Sequence, residues 1–320
     1  NASSGTTVPV VIDTTAPALT IASLRFGGLV TGTTNSGTTD TGTIQTDFIT
    51  SIRNQTLNGT LSSSLANGDT VWVRLNSGST LGTWTQATAS GSTFSASLDL
   101  GAADNSGSFD VQVRDAAGNP GATRNQTYRL DTAPAGVTIT SFALSADTGI
   151  SSTDLITSNP TQTFSGTLST NLVTGESVWY RMNSGAWTLA SFSNGKNTFS
   201  FSGTPLLSGS NTIEVQHRDI AGNASNTASR SVTYDATAPA LSALTLSSGG
   251  ADNLYGLGEA VTVTASFTEN VLITGTPRVA LNIGGVTRYA TYSTGSGTST
   301  LSFSYTPVSY THLRAHETRE

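Results

Sequence analysis

Cysteine is absent from this sequence of 320 residues, lysine occurs only at Lys196, and histidine occurs three times. Without cysteine there can be no disulfide, no thiolate nucleophile and no cysteine-bound metal. His312 and His316 lie in the last nine residues, which leaves His217 for the whole body. An enzyme built here would work almost without the side chains that most often serve as nucleophiles, general bases and phosphate-binding cations. Charged residues are only 11% of the chain, and the formal net charge is −6. The clustered Lys and Arg that neutralise phosphates are missing, which argues against a nucleic-acid binder. No apolar run approaches the ~18 residues of a membrane span, which argues against membrane insertion. Ser and Thr are what is abundant, 100 of 320 residues, with 33 Gly. Hydrophobic residues at 36% are few for a large enzyme core but enough for small sandwiches. Aromatic and β-branched residues recur at regular intervals, which argues against disorder.

Internal repeats set the organisation. Thr56–Gly78, TLNGTLSSSLANGDTVWVRLNSG, matches Thr163–Gly185, TFSGTLSTNLVTGESVWYRMNSG, at an offset of 107. Asp40-Thr-Gly with Asp47-Phe-Ile-Thr50 matches Asp147-Thr-Gly with Asp154-Leu-Ile-Thr157 at the same offset. Arg114-Asp-Ala-Ala-Gly-Asn119 matches Arg218-Asp-Ile-Ala-Gly-Asn223 at offset 104, which fits a small insertion around Ser79–Thr83. A linker appears three times, as Asp13-Thr-Thr-Ala-Pro17, Asp131-Thr-Ala-Pro134 and Asp235-Ala-Thr-Ala-Pro239. These matches divide the chain into 1–12, the last strand of an earlier repeat (roughly Val8–Ile12); 13–130 and 131–234, two full repeats; 235–307, a third and incomplete β-repeat of another subtype; and 308–320, a stretch of different composition that resembles a non-native adapter tail. The start at Asn1 reads as the interior of a longer polypeptide.

Val71–Leu75 and Phe109–Val113 alternate with period two, and Asn-Gly and Ser-Gly clusters fall between such runs. No window sustains a helical period. The expected fold class is all-β: tandem immunoglobulin-like β-sandwich domains arranged end to end. In the first repeat, strands are expected at 18–24, 55–61, 70–75, 82–87, 93–98, 109–114 and 126–130. The third repeat should have strands at 260–267, 277–283 and 301–305.

The ordered recurrence of Asp-Thr-Gly…Asp-x-Ile-Thr, Asp-x-Ala-Gly-Asn and Asp-Thr-(Thr)-Ala-Pro resembles the bacterial immunoglobulin-like repeats of giant secreted adhesins and biofilm-associated surface proteins of Gram-negative bacteria. The resemblance covers residues 1–239. Residues 240–307 resemble, less specifically, another surface-protein sandwich repeat. In that family such arrays form long stalks, often stiffened by calcium. The resemblance implies an extracellular, cell-surface location, with adjacent repeats of the same polypeptide as partners and a host-surface or matrix ligand bound by domains elsewhere.

Nine of the 14 Asp lie in the repeated motifs. Short carboxylates in turns suit Ca²⁺, which takes six to eight oxygens, although Asp and Asn also populate turns simply by bonding local backbone N–H groups. Sandwich topology places the A–B loop at the C-terminal end of a domain and the F–G turn at its N-terminal end. Asp40, Asp47, Asp131 and Asp219 are therefore expected at one junction. Asp147, Asp154 and Asp235 are expected at the next, with Asp252 as a possible addition, and Asp13 and Asp115 upstream. Four such charges would raise one another's pKa values unless a cation sat among them.

Trp72 and Trp179 alternate with core positions and could form a sugar platform or pack beneath Arg74 and Arg181. His217 takes the place of Val113 of the other copy, which suits packing rather than catalysis. The sequons at Asn54, Asn58 and Asn125 are expected by chance in Thr-rich sequence, and Gly256-Leu-Gly258 lacks the third glycine of a dinucleotide fingerprint. The residues thus favour a non-catalytic spacer of a large surface adhesin, with calcium rigidifying its joints. The alternatives are a glycan- or protein-binding module, or accessory sandwiches of an extracellular hydrolase.

Overall fold

The computed structural model describes residues 10–27, 39–102, 104–149, 151–203, 205–247 and 257–308. The expected tail beyond Val308, residues 1–9, Asp252 and Gly256 lie outside them. Every regular element among the described residues is a strand. The first repeat contains β1 (Ile21–Phe26), β2 (Ile49–Thr50), β3 (Asn54–Leu61), β4 (Thr70–Ser77), β5 (Thr85–Gln86), β6 (Thr88–Ser90), β7 (Thr93–Asp99), β8 (Asn105–Arg114) and β9 (Arg124–Leu130). The second contains β10 (Ile139–Leu144), β11 (Ile156–Thr157), β12 (Thr163–Leu168), β13 (Ser177–Met182), β14 (Thr188–Leu189), β15 (Ser191–Phe192), β16 (Thr198–Ser202), β17 (Gly209–Arg218) and β18 (Ala228–Tyr234). The rest are β19 (Leu241–Ser247), β20 (Val261–Val271), β21 (Arg278–Ile283), β22 (Val286–Thr294) and β23 (Thr298–Tyr305). The chain divides into two compact units, residues 1–146 with 160–233, and residues 147–159 with 234–320.

The larger unit holds two sandwiches. In the first, the sheet β1-β3-β7-β6 packs on the sheet β2-β9-β8-β4-β5. In the second, β10-β12-β16-β15 is one sheet, and β18, β17, β13 and β14 run side by side in the other. The alternation in the sequence decides which side chains point inward. Val71 and Val73 of β4 are fully buried, as are Phe109 and Val111 of β8. Phe26, Phe48 and Phe109 meet at centroid distances of 5.0, 5.9 and 5.7 Å. In the second sandwich Tyr180 stacks on Phe201 at 3.9 Å, and Phe201 on Phe164 at 5.1 Å.

The strand expected at 82–87 is two short strands. β5 pairs with β4 in one sheet and β6 with β7 in the other. Ala87 is buried at the crossing, and its N–H donates to Val71 O at 2.8 Å. Ala190 repeats this arrangement between β14 and β15, donating to Val178 O at 2.9 Å. A strand that changes sheets in mid-course leaves no single alternation in the sequence. The first strand begins at Ile21 rather than Ala18. Val10–Ile12, expected as strand, is irregular and exposed.

In the smaller unit, the described residues from Leu241 to Tyr305 form the sheet β19-β20-β23-β22-β21. β19 and β22 were not anticipated.

Gly59 in β3 and Gly166 in β12 occupy equivalent positions. A Cβ at Gly59 would overlap Phe94 Cζ and approach Ser23 O to 2.7 Å, and one at Gly166 would overlap Phe199 Cζ and Ser141 O. Each glycine leaves room for the end of an aromatic ring, Phe94 or Phe199, against the backbone. Gly59→Ala and Gly166→Ala are each expected to lower unfolding stability by about 1–3 kcal/mol. Chemical denaturation of the single variants, with Gly136→Ala in open space as control, checks this.

Candidate functional site

The Asp-x-Ala-Gly-Asn motif is a turn closed by its own side chains. Asp219 Oδ1 accepts the Asn223 N–H at 2.9 Å, and Oδ2 accepts the Asn223 amide at 3.0 Å. The other proton of that amide goes to the main-chain carbonyl of Asp131, at 2.8 Å. The first copy repeats this: Asp115 holds Asn119 at 2.8 and 2.9 Å, and Asn119 Nδ2 reaches Asp13 O at 3.0 Å. The turn of each repeat thereby clamps the linker that precedes that repeat. The hydrogen bonds from Asn119 hold the Asp115 carboxyl below the usual carboxylate range.

The loop between β1 and β2 meets this turn from the other side. Thr41 Oγ1 donates to Ala221 O, and Thr43 Oγ1 to Gly175 O at 2.7 Å. Gly42, at φ +92°, lies so close to Ile220 O that a Cβ would overlap it. A cleft of about 310 Å³ remains, lined by Asp40, Gln45, Ser51, Trp179 and Arg218 among others. The junction expected from topology is therefore present: Asp40, the linker at Asp131 and the turn of Asp219 all lie at it.

Their carboxylates are not gathered. Asp40 is buried, and its Oδ2 accepts the Phe48 N–H at 3.1 Å. Asp47 caps Ile49 N at 3.0 Å. Asp131 pairs with Arg129 Nη2 at 2.7 Å. Asp219 is taken by Asn223. In the smaller unit Asp147 accepts Leu155 N at 3.1 Å, Asp154 accepts Ile156 N at 3.1 Å, and Asp235 accepts Thr237 N at 2.9 Å. Asp13 accepts Thr15 N at 2.9 Å. Among the described residues, no three His, Cys, Asp or Glu side chains stand close enough to hold one metal ion. The carboxylates at the junction of the first two repeats do not fit calcium as they stand. Asp154 and Asp235 do line one cleft of about 680 Å³, together with Glu269 and Asn270. The residues that sequence reading missed at the junction are Thr41, Gly42, Thr43 and the two asparagines. The repetition of Asn119 and Asn223 was the available signal.

Burial, more than the neighbouring Asp47 charge, pushes the Asp40 carboxyl up to about 7. Burial also raises Asp47. His217 is fully buried, with Glu176 Oε1 at 3.6 Å from Nε2, and burial lowers its pKa. The tryptophans are covered by cations other than the ones expected. Arg114 lies over Trp72 at 4.6 Å and Arg218 over Trp179 at 4.4 Å, while Arg74 and Arg181 cover Trp84 and Trp187. Arg114 and Arg218 are cross-strand neighbours of the tryptophan strands in β8 and β17, which brings their guanidinium groups over the rings.

Residues 134–236 match a family model described as bacterial Ig-like domain. No curated protein matches the chain. Among solved structures, fibronectin(III)-like modules of Clostridium thermocellum CbhA are similar at 13% identity, over 58% of this chain and 87% of theirs, with a TM-score of 0.37. A 1.5-MDa bacterial ice-binding adhesin, in a structure bearing on host cell surface retention, is similar at 20% identity, over 82% and 84%, with a TM-score of 0.29. A putative membrane anchored protein from Corynebacterium diphtheriae is similar at 14% identity, over 82% and 79%, with a TM-score of 0.25.

Two expectations follow from the junction. Asn223→Ala should speed hydrogen exchange at residues 219–223 and Asp131 by at least about tenfold, for a loss of about 1–2 kcal/mol, and leave β4 unchanged. Uniform or absent change would show that the amide is not the clamp. The second concerns pH. Because the Asp40 carboxyl is raised from 3.8 to about 7, its contribution to stability is complete below about 4 and is lost as pH rises through 7. His217 works in the opposite sense, losing stability as pH falls through the ordinary histidine range, so His217→Val isolates the carboxyl. In that background Asp40→Asn should raise stability at pH 8, by at most about 4 kcal/mol, and change little at pH 4. A loss at pH 8 would mean that the ionised carboxylate is needed, by Arg218 or by a cation.

Proposed function

We propose that this chain is a non-catalytic structural segment of a bacterial cell-surface protein, a spacer whose sandwiches carry a binding domain away from the surface. One observation carries the reading: the joint of the first two repeats is built into the repeated motifs themselves, through Asn223 on Asp131 and Thr41 on Ala221. A clamp that recurs with the repeat is what a load-bearing array needs, and it adds nothing to a hydrolytic site. The match of residues 134–236 to a bacterial Ig-like domain supports the same class. The sugar-platform alternative is weakened by the guanidinium groups over Trp72 and Trp179.

Calcium is the second reading, favoured by the cleft that Asp154 and Asp235 share with Glu269. The three carboxylates do not stand close enough to hold one ion as they are, so an ion bound there would have to draw Asp154, Asp235 and Glu269 together. The spacer reading expects a mechanical response from the full chain. Under force, the first and second sandwiches of the larger unit should release roughly 390–425 Å and roughly 340–375 Å of chain, less their folded spans, at about 3.3–3.6 Å per residue. Chelator should leave those two events unchanged, and only the smaller unit should soften if calcium serves there. Extension without discrete events, or glycan binding lost in Trp179→Ala, would sink the spacer assignment.

A further inference from the structure

Asparagine precedes glycine three times, at Asn58-Gly59, Asn67-Gly68 and Asn194-Gly195. Glycine has no Cβ to shield its nitrogen and lets the backbone turn freely, so in such a pair the glycine nitrogen can reach the asparagine side-chain carbonyl. The three pairs stand in different surroundings. Asn58 is buried in β3, and its Nδ2 donates to Gly27 O. Gly59 lies between two strands, opposite Leu24 of β1 and Phe94 of β7. Asn194 is exposed, but the Gly195 N–H is engaged, donating to Leu172 O at 2.8 Å. Asn67 is exposed, and among the described residues neither its side chain nor the Gly68 N–H has a hydrogen-bond partner. The turn that holds this pair is closed by one main-chain bond, from Asp69 N–H to Ala66 O at 3.1 Å.

Glycine is required at position 68. Its φ is +88°, and a Cβ there would come within 2.7 Å of Ala116 Cβ. The second repeat keeps this glycine as Gly175, at φ +96°, but has Thr174 where the first has Asn67. The reactive pair at this place is thus a property of the first repeat alone. Ala116 belongs to the turn in which Asp115 holds Asn119, and Asn119 in turn reaches Asp13 O at 3.0 Å. Gly68 therefore packs against the turn that clamps the first linker.

We propose that Asn67-Gly68 is a site of spontaneous deamidation and isoaspartate formation, and that its conversion loosens the turn through which Asn119 holds Asp13. The Gly68 nitrogen attacks Asn67 Cγ and gives its proton to solvent. The new C–N bond closes a cyclic imide, and Nδ2 leaves as ammonia, taking up a proton. Water then opens the imide at either carbonyl. Opening at Cγ leaves aspartate, and opening at the main-chain carbonyl leaves isoaspartate, whose chain runs on through Cβ and Cγ. The sum is amide plus water to carboxylate plus ammonium, with no change of oxidation state. Isoaspartate lengthens the main chain by one carbon just before Gly68, which displaces that residue against Ala116. Either product also adds a carboxylate two residues from Asp69.

The test ages the full chain in mildly alkaline buffer. Mass spectrometry follows each asparagine-containing peptide, and enzymatic methyl transfer to isoaspartate gives a second readout. Asn67 is expected to convert about tenfold faster than Asn194, since the Gly195 nitrogen is released only by breaking a hydrogen bond. Asn58 should persist for as long as the sheet stays folded. Hydrogen exchange at residues 115–119 should accelerate in step with isoaspartate at position 67. In Asn67→Thr, which installs the residue of the second repeat, the same ageing should leave that exchange at its starting rate. Conversion at Asn194 or Asn58 as fast as at Asn67, or an Asn67 that lasts as long as Asn58, would overturn the site. Unchanged exchange at residues 115–119 in a fully converted chain, or equal acceleration in aged Asn67→Thr, would overturn its effect on the turn.

Discussion

The main chain of Asp131 is fixed from both sides, and the joint of the first two repeats depends on that. Its N–H donates to Thr50 O of the first repeat at 2.9 Å, and its carbonyl accepts the Asn223 amide of the second at 2.8 Å. One residue therefore belongs to both sandwiches at once. Each bond is neutral and worth about 0.5–1.5 kcal/mol net. Their effect is larger than the sum, because fixing both flanks of one residue removes the freedom that a four-residue linker would otherwise keep. Asn223 can do this only because Asp219 holds the turn and orients the amide. The aspartate shapes the turn, and the asparagine bears the joint.

This division of labour explains what was legible in the sequence and what was not. The all-β class and the strands from Asn54 to Leu130, apart from the crossing pair β5 and β6, were readable, because alternation and turn residues recur between the two copies. The meeting of the A–B loop with the F–G turn was also readable, since topology alone dictates it. The fate of the carboxylates was not. Asp47, Asp154 and Asp235 each turn back on the N–H two residues ahead, the local bond that Asp favours in any turn. A sequence displays the same Asp whether it faces an ion or its own backbone. Composition gave nothing to decide between them, and the strict spacing of Asp to Asn within the turn, a signal of the bond four residues away, went unread.

Burial produced a second divergence. Like charges at the junction suggested raised carboxylate pKa values through repulsion. Asp40 is raised, but mainly because it is buried beside Phe48, with Asp47 adding a smaller contribution. Asp131, at the same junction, instead pairs with Arg129, two residues back in the chain. The tryptophans followed similar logic. Arg74 and Arg181 are two residues from Trp72 and Trp179 on the same strand face, yet the cover comes from Arg114 and Arg218 on the neighbouring strands. Cross-strand neighbours can lay a guanidinium flat over a ring more readily than a side chain two positions along the same strand.

The closing strand links these features. In the first repeat β9 completes the second sheet, burying Tyr128 and Leu130, and passes at once into Asp131. Closing the sandwich and setting the joint are thus one event in the chain: the strand that covers the core delivers the residue that the next repeat clamps. In the smaller unit Asp235 N–H donates to Thr157 O at 2.9 Å, as Asp131 does to Thr50. The start of that clamp is therefore present where β18 ends.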